Sequence, residues 1–357
     1  MNKAVFEKEQ CYGTLKGVLK NALKNKPIIY RLTGQKSRIY FTKEDPKQPA
    51  NVYNSGTTLI DNYRDKAGEL AIHGWKVKLI NSGKDPNIEL KTRQDYGTLL
   101  HVLYGKILLG ETTTFDKLDE FIIGFASEVR MGKEYLEKLV SSHMGEFRKD
   151  VASFLAWIKE YKVNPLGIEL MVKSDKYKVA TALDLICEVT VKEKGHFGEV
   201  YKSDSKATGA KKGDPKESYG EVKKVVIVDF KSGKKGFYAK NVIQLLLSRK
   251  IFEENFPKVG IDGIFNFAPN DWKGSNPTFK FYDQERENKQ IDYLKSILEN
   301  ILERGMKEFE FELSKKKERI FNGKIDITKL GDTDNMFQTY TLEQMADMYF
   351  DTLETNE

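Results

Sequence analysis

Asp229-Phe230-Lys231 closes the run 223–230 (KKVVIVDF), whose nearly continuous β-branched residues predict a strand buried on both faces. Two residues apart on a strand, the Asp229 carboxylate and the Lys231 ammonium project from the same face. Charges at the end of a buried strand cost free energy unless partnered. A divalent cation suits Asp229; a phosphate or a metal-bound hydroxide suits Lys231. The tripeptide alone also fits a salt bridge at a strand end. Asp184 adds a second acid, inside the apolar segment 180–186 (ATALDLI). Glu169 adds a third, in Gly167-Ile168-Glu169-Leu170, 15 residues earlier. With a hairpin turn near Asp175 and Lys176, Glu169 and Asp184 fall nearly opposite one another. Facing carboxylates repel, so a bound cation or a raised pKa must compensate. Three acids and one lysine at strand ends compose a hard-oxygen site of the kind that holds Mg2+ or Mn2+.

The surrounding pattern supplies elements that could gather these groups. Apolar residues at helical spacing, Leu99, Leu100, Leu103 and Leu108, then Leu118, Phe121, Ile122, Phe125 and Val129, then Val151, Phe154, Leu155 and Ile158, predict a helical segment over 95–161. Asn164-Pro165-Leu166-Gly167 ends it and passes to strands at 167–173 and 178–191. Residues 192–222, rich in Lys, Gly, Ser and Asp and without apolar periodicity, read as a long, basic, exposed loop. An amphipathic helix follows over 238–256, with Val242, Leu245, Leu246 and Phe252 inward and Pro257 as its stop, then a strand at 261–267 and a helix at 289–306. The order α–β–β–β–α–β predicts one α/β unit. Upstream, 27–32 and 38–42 flank Thr33-Gly34-Gln35-Lys36-Ser37 as a hairpin. The segment Asn51-Val52-Tyr53-Asn54-Ser55-Gly56 reads as punctuation. The expected division is a mixed α/β accessory region over 1–90 that positions substrate or acts as a lid, a catalytic domain over 91–317, and an acidic tail over 318–357.

Taken together, these residues resemble the PD-(D/E)XK nuclease superfamily, and within it the RecB-like exonuclease branch, over roughly residues 101–267. Gly97-Thr98-Leu99-Leu100-His101 resembles the branch's G-x-x-x-H helix. Glu169 matches its first-strand acid, Asp184 the acid of G-x-x-D, Asp229-Phe230-Lys231-Ser232-Gly233 the D-x-K element, and Gln244 the Gln of Q-x-x-x-Y. Thr181 and Ser248 depart from that pattern, standing where the family has Gly and Tyr. The resemblance implies a restriction-endonuclease-like αβββαβ core carrying a helical insertion. It implies that Asp184, Asp229, the Phe230 carbonyl and His101 hold one or two Mg2+ or Mn2+ ions, with Glu169 holding or positioning the metal. It further implies that Lys231 orients a metal-activated water and that Gln244 steadies the scissile strand. The expected activity is hydrolysis of DNA phosphodiesters, with an exonuclease first. A structure-specific or nicking endonuclease, and a non-catalytic DNA-binding protein of the same fold, are the alternatives. A stand-alone enzyme of phage or mobile-element type fits the absence of a motor domain.

Composition agrees with such a partner. The chain has 357 residues, 31% of them charged, and a net charge of +6. After Lys329 there is no base and there are seven acids, from Asp332 to Glu357, so the rest is more basic than the total. A basic body suits a polyanion such as linear DNA, because neutralised phosphates release counterions. The acidic tail suits a protein partner. Cys11 and Cys187 are too few for a disulfide framework or a four-cysteine iron–sulfur cluster. No G-x-x-x-x-G-K-[ST] sequence is present, so no ATP-driven motor is expected. Apolar runs are too short to span a bilayer, and the first eight residues lack the apolar core of a secretory signal, so a cytoplasmic location is expected; that the cell is bacterial or phage-infected is what the resemblance implies.

Overall fold

The computed structural model describes residues 29–33, 38–42, 51–61, 63, 66–111, 113–125, 131–203, 205, 208, 210–232, 238–271, 275–321 and 336–338. Among them are nine strands and eight α-helices in a mixed α/β arrangement. In chain order these are β1 (Ile29–Thr33), β2 (Arg38–Thr42), β3 (Asn51–Ser55), α1 (Gly56–Asp61), α2 (Lys66–Asn81), α3 (Pro86–Leu108), α4 (Leu118–Ile123) and α5 (Lys133–Tyr161). There follow β4 (Asn164–Ser174), β5 (Val179–Val200), β6 (Pro215–Phe230), α6 (Ala239–Asn255), β7 (Gly263–Pro269), β8 (Phe279–Asp283), α7 (Gln284–Glu287), α8 (Ile291–Phe321) and β9 (Met336–Gln338).

Long β5 organises the sheet. β4 pairs antiparallel along one edge. The other edge is shared end to end: β3 runs parallel to it at Val179 and Ala180, and β6 pairs antiparallel from Leu185 onward. The C-terminal ends of β3 and β6 therefore point at each other across the stretch of β5 that contains Asp184. Beyond β6 lie β7, parallel, and β8, antiparallel; beyond β3 lie β2, β1 and β9.

Strand alternation splits the core into two layers. Val226, Val228 and Phe230 of β6 pack with Leu99, Leu103, Phe154 and Trp157 of α3 and α5. Ile227 packs on the other face with Val242, Leu245, Leu246 and Phe252 of α6 and Leu298 and Leu302 of α8. Burying such side chains contributes about 1.5–3 kcal/mol each, so the inner half of β6 could hardly be anything but a central strand. On period-2 grounds Asp229 faces the α6 layer. The start of α3 is set by Asp85, whose Oδ1 accepts from the Asn87 N–H, with Pro86 in the first turn.

The expected hairpins at 29–42 and around Ser174–Tyr177, the helices and the α–β–β–β–α–β order all correspond to described elements. Three expectations need correcting. Residues 192–222 are largely a two-stranded ribbon, not a loop: β5 and β6 stay in register from Lys192 opposite Glu221 to His196 opposite Glu217, resuming at Val200 opposite Pro215. The ladder is held by backbone bonds and cross-strand ion pairs, which need no apolar alternation. Residues 51–55 are strand β3, with Val52, Tyr53 and Ser55 buried. The last helix continues past residue 306 to Phe321. The acids from Asp332 onward, Cys11, Lys206 and most of residues 1–50 lie outside the described residues. Among the described residues no helix is long and apolar enough to cross a membrane.

Candidate functional site

Glu169 and Asp184 sit at the point where two paired strands change faces. The flanking pairs are Ile168 with Leu185 and Leu170 with Leu183. Ile168 and Leu185 pack into the α3/α5 layer, whereas Leu170 and Leu183 pack into the α6/α8 layer. A regular strand would send i and i+2 to the same side. The reversal is visible in the backbone: Glu169 has φ 48°, a left-handed conformation that costs a non-glycine residue about 1–2 kcal/mol. Strain of this kind collects at functional sites, where the surroundings over-determine the geometry.

His101 reaches the same place from α3. One ligand atom each from His101, Glu169 and Asp184 lie within 4.8 Å of one another, and His101 Nδ1 is 3.6 Å from Asp184 Oδ2. Two contacts seat that helix. One turn before His101, a Cβ on Gly97 would stand 3.0 Å from Ser232 Oγ, so glycine lets α3 approach the segment that follows the D-x-K element. At the neighbouring position the buried Tyr96 hydroxyl donates to Asp150 Oδ2 of α5 at 2.6 Å. Burial first, and the Asp150 charge second, push the Tyr96 pKa well above the ordinary phenol value. Tyr96 therefore stays a donor.

Asp229 and Lys231 stand beside this group. Lys231 Nζ donates to Asp229 Oδ1 at 2.9 Å and to Gln244 Oε1 of α6 at 3.3 Å. The Phe230 N–H donates to Asp184 Oδ2 at 2.8 Å, while its ring is buried against His101, Tyr104, Phe154 and Trp157. Asp229 has a side chain only 7% exposed. Burial pushes its pKa up, Lys231 pulls it down, Asp184 pushes it up again, and the balance lies at about 6. For Lys231, burial favours the neutral amine, but Asp229 and Asp184 together outweigh it and its pKa rises. The result is a buried ammonium between two acids, one of them poised near neutrality, an arrangement that clusters at functional sites.

No known family model matches the chain. No curated protein matches it either. What can be said of the site therefore rests on its own chemistry.

All six side chains singled out from sequence, His101, Glu169, Asp184, Asp229, Lys231 and Gln244, come to one end of the sheet. The nitrogen and carboxylate donors of His101, Glu169 and Asp184 could together hold a metal ion. The Asp229 carboxylate is turned to Lys231 and to a residue that sequence reasoning missed: Asn266 Nδ2 donates to Asp229 Oδ2 at 2.7 Å. A signal was present, since Asn266 is the polar residue of the otherwise apolar strand GIFNFAP, buried along its whole length. Thr181 and Ser248 are both buried. Of the remaining histidines, His143 Nδ1 lies 3.0 Å from the Leu139 carbonyl oxygen on its own helix.

Proposed function

We propose that the chain is a metal-dependent nuclease with a restriction-endonuclease-like core of the RecB-like type, and that it hydrolyses DNA phosphodiesters as an exonuclease. In this reading the core is α3 and α5, the β4–β5–β6 sheet, α6 and β7. The observation that carries it is the convergence of His101, Glu169 and Asp184, within 4.8 Å of one another, beside the buried Asp229–Lys231 pair at 2.8 Å. Sites of this composition have a clear chemical use. His101, Glu169 and Asp184, with Asp229 adjoining, would hold one or two Mg2+ or Mn2+ ions. Such an ion supplies Lewis-acid charge at the phosphate and lowers the pKa of water.

The protein's own groups do the rest. Lys231 stays protonated between Asp229 and Asp184, so it can offset the negative charge that grows on the phosphoryl oxygens. Gln244 limits the swing of Lys231 by accepting from its Nζ. The Phe230 N–H donates to Asp184 Oδ2, which fixes that carboxylate beside His101. His101 packs edge-on against the buried Phe230 ring.

The test is incubation with linear and covalently closed circular DNA in Mg2+ or Mn2+, beside Asp229→Ala. Loss of linear DNA with circles spared, abolished in the variant, is the expected result. Cutting of circles would replace the exonuclease with an endonuclease. Binding of DNA without hydrolysis, unchanged in the variant, would contradict the catalytic reading.

A further inference from the structure

The molecule contains a buried line of side-chain amides that ends on Asp229. Asn266 lies in register with Asp229 on the neighbouring parallel strand. Its Oδ1 accepts from Gln284 Nε2 at 2.8 Å, and Gln284 Oε1 accepts from Asn288 Nδ2 at 3.0 Å. Asn288 Oδ1 in turn accepts from the Gln290 N–H at 2.9 Å, just before α8. Asn266 is fully buried and Gln284 is 1% exposed.

Two features set this line apart from ordinary core polarity. Every bond points the same way, each amide donating toward the carboxylate. An ionised carboxylate only accepts, so Asp229 fixes the flip of Asn266, which fixes Gln284, which fixes Asn288. The second feature is location. The neighbours Phe265 and Phe267 are buried apolar side chains, and an apolar residue at position 266 would spare the fold the cost of burying an amide, about 1–3 kcal/mol whenever its partner is missing. The pairing of β7 with β6 and β8 runs through backbone bonds and does not call for asparagine there.

We infer that Asn266 is a positioning residue, backed by Gln284 and Asn288, that fixes the rotamer of the Asp229 carboxylate and so sets how well the site takes up a divalent cation. Lys231 Nζ lies 2.9 Å from Oδ1 and 2.8 Å from Oδ2 of that carboxylate, and Asn266 Nδ2 donates to Oδ2 at 2.7 Å, so two buried donors hold it. This inference rests on the nuclease reading and adds to it a part of the apparatus that lies outside the D-x-K element.

The experiment measures Mn2+ affinity of the metal-free protein by calorimetry, with thermal melting and steady-state DNA cleavage, for the unaltered chain, Asn266→Leu and Gln284→Met. Outer partners of metal ligands typically contribute about 10–100-fold in metal affinity or activity. Asn266→Leu is expected to lose Mn2+ affinity and kcat within that range, with KM for DNA unchanged. Gln284→Met, which frees the Asn266 carbonyl and the Asn288 amide but leaves the Asn266–Asp229 bond in place, should show a smaller loss of the same kind. A folded Asn266→Leu with unaltered Mn2+ affinity and kcat, whatever its melting temperature, overturns the inference while leaving the nuclease reading intact. If Asn266→Leu does not fold, Gln284→Met decides: weakened Mn2+ binding at native melting temperature supports positioning, and unchanged binding overturns it. An unaltered chain that neither binds Mn2+ nor cleaves DNA removes the nuclease reading, and this inference with it.

Discussion

The strands β5 and β6 are each two different structures joined end to end. Their inner halves, from Leu185 opposite Val228 to Val189 opposite Lys224, are mostly buried and lead to Asp184 and Asp229. Their outer halves, beyond Lys192 and Glu221, carry charge on both faces and project into solvent. Burial pushes the pKa of Asp229 up to about 6. In the ribbon the shift runs the other way: hydrogen bonds from Lys194 and Lys162 hold Glu217 and Glu221 below the ordinary glutamate value. The lesson is that a charged residue informs about function only where its solvation has been taken away. Exposed pairs such as Lys194–Glu217 form at small net gain, whereas a buried acid has to be held against its desolvation cost.

The sharpest contrast between the two halves is activity. Asp184→Ala, Asp229→Ala and Lys231→Ala are each expected to lower DNA cleavage by at least ~10²-fold, with circular dichroism spectra unchanged. Lys194→Ala and Glu217→Ala should cleave like the unaltered chain. Cleavage near the unaltered level in all three inner variants would erase the distinction.

A second contrast uses glycine. In Gly97→Ala the new methyl group meets Ser232 Oγ at 3.0 Å, so α3 or the Ser232 side chain must give by a few tenths of an ångström. Misplacement by about 1 Å can cost about 10²-fold in rate, so a loss of about tenfold is expected. Gly220 is more crowded still, by the Phe197 ring that lies across it in the ribbon. Gly220→Ala should lower the melting temperature and leave the cleavage rate alone.

A third contrast is the pH dependence of stability without metal. Between about pH 4 and pH 6 the unfolded chain has lost the Asp229 proton and the folded one retains it. The folded state then binds more protons, and stability falls as pH rises across that window. The contribution is on the order of 3 kcal/mol. In urea unfolding with EDTA, Asp229→Asn should therefore gain on the unaltered chain between pH 4 and pH 7. A difference independent of pH would show that burial does not shift this acid. The smallest effect belongs to the double variant Lys194→Ala/Glu217→Ala, for which no change in melting temperature beyond error is expected.

Much of the site was legible before any coordinates because its acids interrupt apolar runs. Asp184 within ATALDLI and Asp229 at the end of KKVVIVDF stand out against their neighbours, and the short turn after Ser174 places Glu169 opposite Asp184. Where a strand has water on both faces, that contrast vanishes. The ribbon from Lys192 to Glu221 accordingly read as a loop. β3 was hidden for a different reason: its asparagines and serine favour turns, and pairing with β2 on one side and the distant β5 on the other makes them a strand. The left-handed Glu169 and the pairing of β9 with β1 depend on contacts far apart in sequence. Asn266 broke an apolar run as plainly as Asp184 did, but an amide carries no charge to demand a partner.

The central claim is that His101, Glu169 and Asp184, with Asp229 adjoining, would hold a divalent cation. Anomalous diffraction from a crystal soaked in Mn2+ tests it directly. A peak at coordinating distance from the Asp184 carboxylate and the His101 ring, lost in Asp184→Ala, is the predicted result. An empty anomalous map at that end of the sheet, at Mn2+ concentrations that support cleavage, would contradict it.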